Sequence, residues 1–109
     1  MLKLVYYVPE SHLESTKQAI FQAGAGQFSQ KGQLTYTQCA WQVKGVGQFM
    51  PMLGSNPFLG TSNQLEQVEE WRVEVIVAQD VAGQVKNALL DSHPYEEVAY
   101  EFYTILMID

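Results

Sequence analysis

The residues best equipped for chemistry sit close together near the end of the chain, in His93-Pro94-Tyr95-Glu96-Glu97-Val98-Ala99-Tyr100-Glu101. An imidazole stands here beside two carboxylates and a phenol. Neutral imidazole with carboxylate is a donor set suited to zinc, copper or a similar divalent ion. His93 is the first candidate ligand and Glu96 the next, with His12 a third if the fold brings it near. A divalent metal ion is thus the one cofactor the residues suggest. Each residue also has a plainer reading. His93 at a helix C-terminus interacts well with the helix dipole when protonated. His12 in a first helical turn is commonly solvated, and Glu96 and Glu97 suit a polar strand entry.

Other chemistries have less support. Glu69-Glu70 and Glu96-Glu97 are adjacent in strand-like stretches, so each pair points to opposite faces and cannot act together as acid and base. Cys39 reads as a small buried hydrophobe in a strand. Gly45-Val46-Gly47 lacks the third glycine and the following helix of a dinucleotide fingerprint. Tyr6, Tyr7, Tyr95, Tyr100 and Tyr103 read as core and interface residues. No catalytic constellation is visible, so catalytic residues are set at none.

The elements that must position the corner follow from pattern. Leu2 to Val8 is apolar almost throughout, as a central strand is. Ser11 and Glu14 have the spacing of a capping box, which opens a helix running to about Ala23 with Leu13, Thr16/Lys17, Ile20 and Phe21 inward. Gly24 or Gly26 ends it in the left-handed conformation. Gln27 to Gln30 is a connector, and Gly32 to Val43 is the second strand, with the face bearing Trp41 and Val43 expected to be the more buried. Residues 44–64 read as a long loop, and loops of that length in a compact domain are often functional. Gly45, Gly47, Phe49, Pro51, Asn56 and Pro57 are its candidate binding positions. The plainer reading is an extended hairpin with Phe49, Met52, Phe58 and Leu59 packed down.

Leu65 to Val77 alternates with period two, Trp71, Val73, Val75 and Val77 against Glu70, Arg72, Glu74 and Ile76, as a strand with one buried face does. Asp80 is the expected N-cap of a second helix with Val81, Val85, Ala88 and Leu89 inward. That helix stops near Ser92, because Pro94 cannot continue it and biases His93 to an extended conformation. Val98 to Ile108 is the last strand. The order predicts an α+β fold, a ferredoxin-like βαββαβ sandwich: a four-stranded antiparallel sheet, two helices on one face, and a long excursion between the second and third strands. This topology places Glu10, His12, the 44–64 loop and His93 to Glu97 at one end of the sheet. The face without helices is expected to serve partly for self-association.

Composition bounds the rest. The 109 residues favour a single domain over 1–109. A hydrophobic fraction of 47% supports a core. A net charge of -6 with scattered Lys and Arg argues against nucleic acid and anionic membranes. One cysteine excludes an intramolecular disulfide, and the apolar N-terminus reads as a strand and not a signal peptide, so a cytoplasmic location is expected.

Several stretches together resemble one family. They are Gly45-Val46-Gly47-Gln48-Phe49-Met50-Pro51, Gly54-Ser55-Asn56-Pro57-Phe58-Leu59-Gly60, Val68-Glu69-Glu70-Trp71-Arg72-Val73-Glu74 and His93-Pro94-Tyr95-Glu96-Glu97, with the Ala23-Gly24-Ala25-Gly26 turn also fitting. The pattern resembles the PII/CutA-like domain inserted in bacterial members of the Ngg-one-interacting-factor-three-like family, also labelled GTP cyclohydrolase type-two homologues. His-Pro-Tyr-Glu is also similar to a stretch of CutA proteins. The resemblance implies a stand-alone PII/CutA-like module that forms a homo-oligomer, trimer or dimer, and uses loops at subunit edges for ligands or partners. The metal ligands of the parent proteins lie in halves outside this chain, so their activity does not carry over. The function expected is a non-catalytic oligomeric binding or regulatory module. The alternative is a divalent-metal-binding CutA-like protein using the His93 corner, and a cyclohydrolase inherited from the family label comes third.

Overall fold

The computed structural model describes residues 1–108. Strand β1, Leu2–Val8, is flanked on both sides in a four-stranded antiparallel sheet of order β4-β5-β1-β6. The other sheet strands are β4, Trp41–Phe49, β5, Glu66–Val77, and β6, Tyr100–Thr104. Helix α1, Leu13–Gln22, and helix α2, Ala82–Ser92, pack together on one face. This is the expected ferredoxin-like arrangement. Its core joins Leu4, Tyr6 and Val8 of β1 and Val73, Val75 and Val77 of β5 to Leu13 and Ile20 of α1 and Val85 and Leu89 of α2. The period-two and period-3.6 patterns therefore converge on one layer. Tyr6 is fully buried, and its hydroxyl donates to Thr16 Oγ1 at 3.0 Å while Thr16 donates back to the helix backbone. None of the described helices is long and apolar enough to cross a membrane.

Helix α1 ends in a Schellman turn: the Ala25 N–H reaches the Ile20 carbonyl at 3.0 Å, the Gly24 N–H reaches Phe21 at 3.1 Å, and Gly24 takes φ +110°. Both helix starts differ from expectation. Short 3-10 turns at Glu10–His12 and Gln79–Val81 lead into them, and neither has a side-chain cap. Ser11 Oγ pairs with His12 Nδ1 and Glu14 with Lys17, so the capping box is not formed; Asp80 lies within its 3-10 turn and does not cap α2. The chain enters each helix through one tighter turn, which satisfies backbone groups without the side chains.

The expected strand over 32–43 is instead a separate hairpin followed by a break. Strands β2, Phe28–Gln30, and β3, Gln33–Tyr36, turn at Lys31-Gly32, both with positive φ, the two-residue turn whose twist matches a hairpin. Gln38 at φ +58° then redirects the chain into β4. Cys39 consequently lies in a half-buried connector and not in a strand. Trp41 and Val43 are exposed, as are Leu34 and Tyr36 on the hairpin, so neither expected face of this segment is buried. Strand β4 continues through Phe49, which places residues 44–49 in the sheet and shortens the irregular run to 50–65. The last strand spans Tyr100–Thr104, shorter than the expected 98–108; its register with β1 runs from Tyr6 opposite Tyr100 to Leu2 opposite Thr104, and the Ile105 N–H reaches the Met1 carbonyl at 3.2 Å.

Among the described residues no helix covers the second sheet face. Lys3 and Arg72 both pair with Glu74, and Arg72 also donates to the Tyr7 hydroxyl at 3.0 Å. Beyond Val8, opposite Trp71, β1 ends while β4 and β5 continue together to Phe49 and Glu66. That arm gives the molecule extents of 53 × 23 × 23 Å.

Candidate functional site

Helix α2 delivers His93 to the end of the sheet where the arm begins. His93 closes the helix in an extended conformation, φ -86° and ψ 140°, as the following proline requires. Its ring is buried and both nitrogens are engaged. Nε2 lies 2.6 Å from the Tyr7 carbonyl, and Nδ1 lies 3.2 Å from the Tyr95 N–H. A carbonyl can only accept and an amide N–H can only donate, so the ring is the neutral Nε2–H tautomer. Burial is the main cause that lowers its pKa below the usual 6.5, opposed by the bond to Tyr7 and assisted by the nearby His12. The protonated, dipole-stabilised reading of His93 is therefore replaced by a neutral latch between α2, β1 and the 93–97 turn.

His12 faces the same end, but its Nδ1 pairs with Ser11 Oγ at 2.8 Å and its ring meets Phe58 edge-on at 5.7 Å. Glu96 Oε2 accepts the Asn56 N–H at 3.0 Å. Among the described residues no three His, Cys, Asp or Glu side chains form a metal-binding group. The three metal candidates thus share an end of the sheet, with both His93 nitrogens, His12 Nδ1 and Glu96 Oε2 bonded within the protein.

The irregular run 50–65 answers this corner. Phe58 lies between His12 and Tyr95, with ring centroids 5.7 and 6.3 Å away, and Tyr95 stacks edge-on against His93 at 4.8 Å. With the Asn56–Glu96 bond, these contacts fasten the run over the corner of the same chain. Between the run, the arm and the corner is an open cleft of about 550 Å³. Phe49, Pro51 and Pro57, three of the six expected binding positions, line it, and the Asn56 N–H bonds to Glu96 in its wall; Gly45 and Gly47 lie in β4 beside a smaller recess.

Gly47 has a different use from the one its motif suggested. A Cβ there would stand 1.9 Å from Glu70 Oε1, so the glycine leaves the space that the Glu70 side chain occupies. Glu70 crosses it and accepts a hydrogen bond from the Tyr95 hydroxyl at 3.1 Å. Burial first, then the Glu70 charge and this bond, raise the Tyr95 pKa far above the ordinary phenol range, so Tyr95 remains a donor. Tyr7, Glu70, Tyr95 and Glu97 also line the cleft, beyond the expected ligand and binding positions. Glu70 was legible as an outward strand position, but only strand register and the turn at Pro94 bring it to Tyr95.

No family model matches the chain. A protein of Halalkalibacterium halodurans named GTP cyclohydrolase 1 type 2 homolog is 40% identical over 105 residues, 96% of this chain and 27% of that protein. Its namesake in Bacillus subtilis is 41% identical over 103 residues, 94% of this chain and 26% of that protein. The chain thus spans about a quarter of the length of the curated relatives it matches. Among solved structures, a Bacillus cereus protein related to NIF3 superposes with a TM-score of 0.77 at 37% identity, over 94% of this chain and 24% of that one. CutA1 from Pyrococcus horikoshii superposes with a TM-score of 0.69 over 100% of this chain and 87% of that one, at 12% identity, which speaks to the fold alone.

Proposed function

We propose that this chain, homologous over nearly its whole length to a segment of the GTP cyclohydrolase 1 type 2 homologues and PII/CutA-like in fold, is a non-catalytic binding module that assembles with copies of itself. The observation that carries the reading is the sheet edge formed by β4. On it Trp41 and Val43 are 57% and 43% exposed, on the side of the sheet that no helix covers. Val46 on its other side is 70% exposed, and Leu34 and Tyr36 of the adjoining hairpin are exposed as well. Among the described residues, strand β4 has a hydrogen-bonded neighbour, β5, on one side only. A sheet edge with unpaired backbone groups and large apolar side chains is a template for another chain. A second copy presents the same edge and the same side chains, and an isologous contact buries both.

Assembly also gives the arm a role. Its outer strands gain no core from their own helices, because β1 ends before they do. The cleft at its base is then the ligand side of the module, with β4 the assembly side. Sedimentation velocity at micromolar concentration tests this. Wild type sediments as an oligomer, and the double variant Trp41→Lys/Val43→Lys sediments as a folded monomer. A wild type that remains monomeric throughout that range overturns the reading.

A further inference from the structure

The cleft at the base of the arm has a chemistry that specifies its occupant. Its walls are mostly apolar and aromatic: Phe49 from β4, Met52, Pro57 and Phe58 from the run over the corner, and Tyr7 and Tyr95 from the sheet and the turn. At about 550 Å³ it falls within the span of small-molecule sites, roughly 300–1,000 Å³. The charged side chains lining it are Glu70, Glu96 and Glu97, and none of its described lining residues is Lys, Arg or His. The chain's one arginine, Arg72, is bonded to Glu74 at 3.1 Å and to the Tyr7 hydroxyl at 3.0 Å and lines the neighbouring recess instead.

We infer that the cleft binds a small organic cation, an ammonium or guanidinium group carried on an apolar body. This deepens the binding-module reading and rests on it. Aromatic faces attract cations through the ring quadrupole, and carboxylates at the rim supply directed charge. Glu70 and Glu96 each keep one oxygen outside their bonds to Tyr95 and Asn56: Glu70 uses Oε2 for Tyr95, and Glu96 uses Oε2 for Asn56. The same bonds hold those carboxylates in place before a ligand arrives, which reduces the ordering needed on binding. An anionic ligand would meet three carboxylates with no lining cation to offset them.

The test is a titration of the full chain with benzylamine, benzyl alcohol and benzoate, followed by amide chemical shifts. These probes share one ring and differ in charge. Benzylamine shifts Asn56, Phe58, Tyr95 and Glu96, benzyl alcohol binds at least about tenfold more weakly, and benzoate leaves the cleft unshifted. The double variant Glu96→Gln/Glu97→Gln keeps an acceptor for Asn56 and weakens benzylamine about tenfold. Equal binding of benzyl alcohol, preference for benzoate, or no cleft shift at millimolar benzylamine each overturns the inference. Sedimentation of the same samples reads assembly separately, so an empty cleft on an intact oligomer is distinguished from failure of the module itself.

Discussion

His93 shows how much one side chain decides at the residue scale. It reaches from the end of α2 to the Tyr7 carbonyl and receives the Tyr95 N–H, so three separated parts of the chain meet on one imidazole. Protonation would place an N–H at Nδ1 against the Tyr95 N–H, and burial opposes the charge as well. The folded pKa lies below the unfolded value of 6.5, so as pH falls the unfolded chain takes up the proton first. This residue's contribution is intact above pH 6.5 and is lost progressively as pH falls from there toward the lower folded value. Urea unfolding of wild type from pH 8 to pH 4.5 should show that loss, and His93→Ala should reduce its slope. At pH 8 the variant should already be about 2–4 kcal/mol less stable, having lost a buried ring and left the Tyr7 carbonyl unpaired. An unchanged slope would remove the latch. The sequence singled out His93 as the first candidate metal ligand, through the carboxylates beside it, but not the bond it makes here, because the Tyr7 carbonyl is 86 residues away along the chain.

At the element scale, the turn after α1 does more than end a helix. The Gly26 N–H donates to the Ile76 carbonyl at 2.8 Å, and the Gly26 carbonyl accepts from the Cys39 N–H at 2.9 Å. The turn thereby ties α1 to the end of β5 and to the entrance of β4. Gly26 has φ +76°, and a Cβ on it would lie 2.8 Å from the Cys39 carbonyl oxygen and 3.0 Å from its nitrogen. Gly32 in the β2–β3 hairpin has the same φ and nothing within 4 Å. The pair separates backbone strain from crowding. Gly32→Ala should lose about 1–2 kcal/mol, the ordinary left-handed cost, and Gly26→Ala about 2–4 kcal/mol, because backbone atoms must also move. Equal losses by urea unfolding would show that the stitch to Cys39 contributes nothing. The Ala-Gly-Ala-Gly spacing made the helix end legible; the two long-range bonds of Gly26 were not, since they depend on where β4 and β5 arrive.

For the whole molecule, shape and assembly are linked. The Cα radius of gyration is 15.4 Å, against about 13 Å for a compact chain of this length. The excess is the arm, on which Val46 is 70% exposed. If copies associate through β4, only the folded state binds a neighbour, and the melting temperature rises with protein concentration. A 30-fold increase in concentration should raise it in wild type and leave Trp41→Lys/Val43→Lys unmoved. Concentration-independent melting in both would point to an arm that stands alone in solution.

The sequence by itself determined the βαββαβ order of the four-stranded sheet and its two helices, though not the β2–β3 hairpin, and with it the central place of β1, the inward faces of both helices, the helix stop before Pro94 and the gathering of the polar corner at one end of the sheet. These follow from local periodicity and from backbone limits that act within a few residues. Only the tertiary structure decided that residues 44–49 belong to a strand, that Trp41 and Val43 are exposed, that Gly47 makes room for Glu70, and that Phe58 reaches Tyr95. Each of these depends on register between distant strands. A strand pattern states which side chains share a face, but whether a neighbour covers that face is settled only when the other strands and helices take their places.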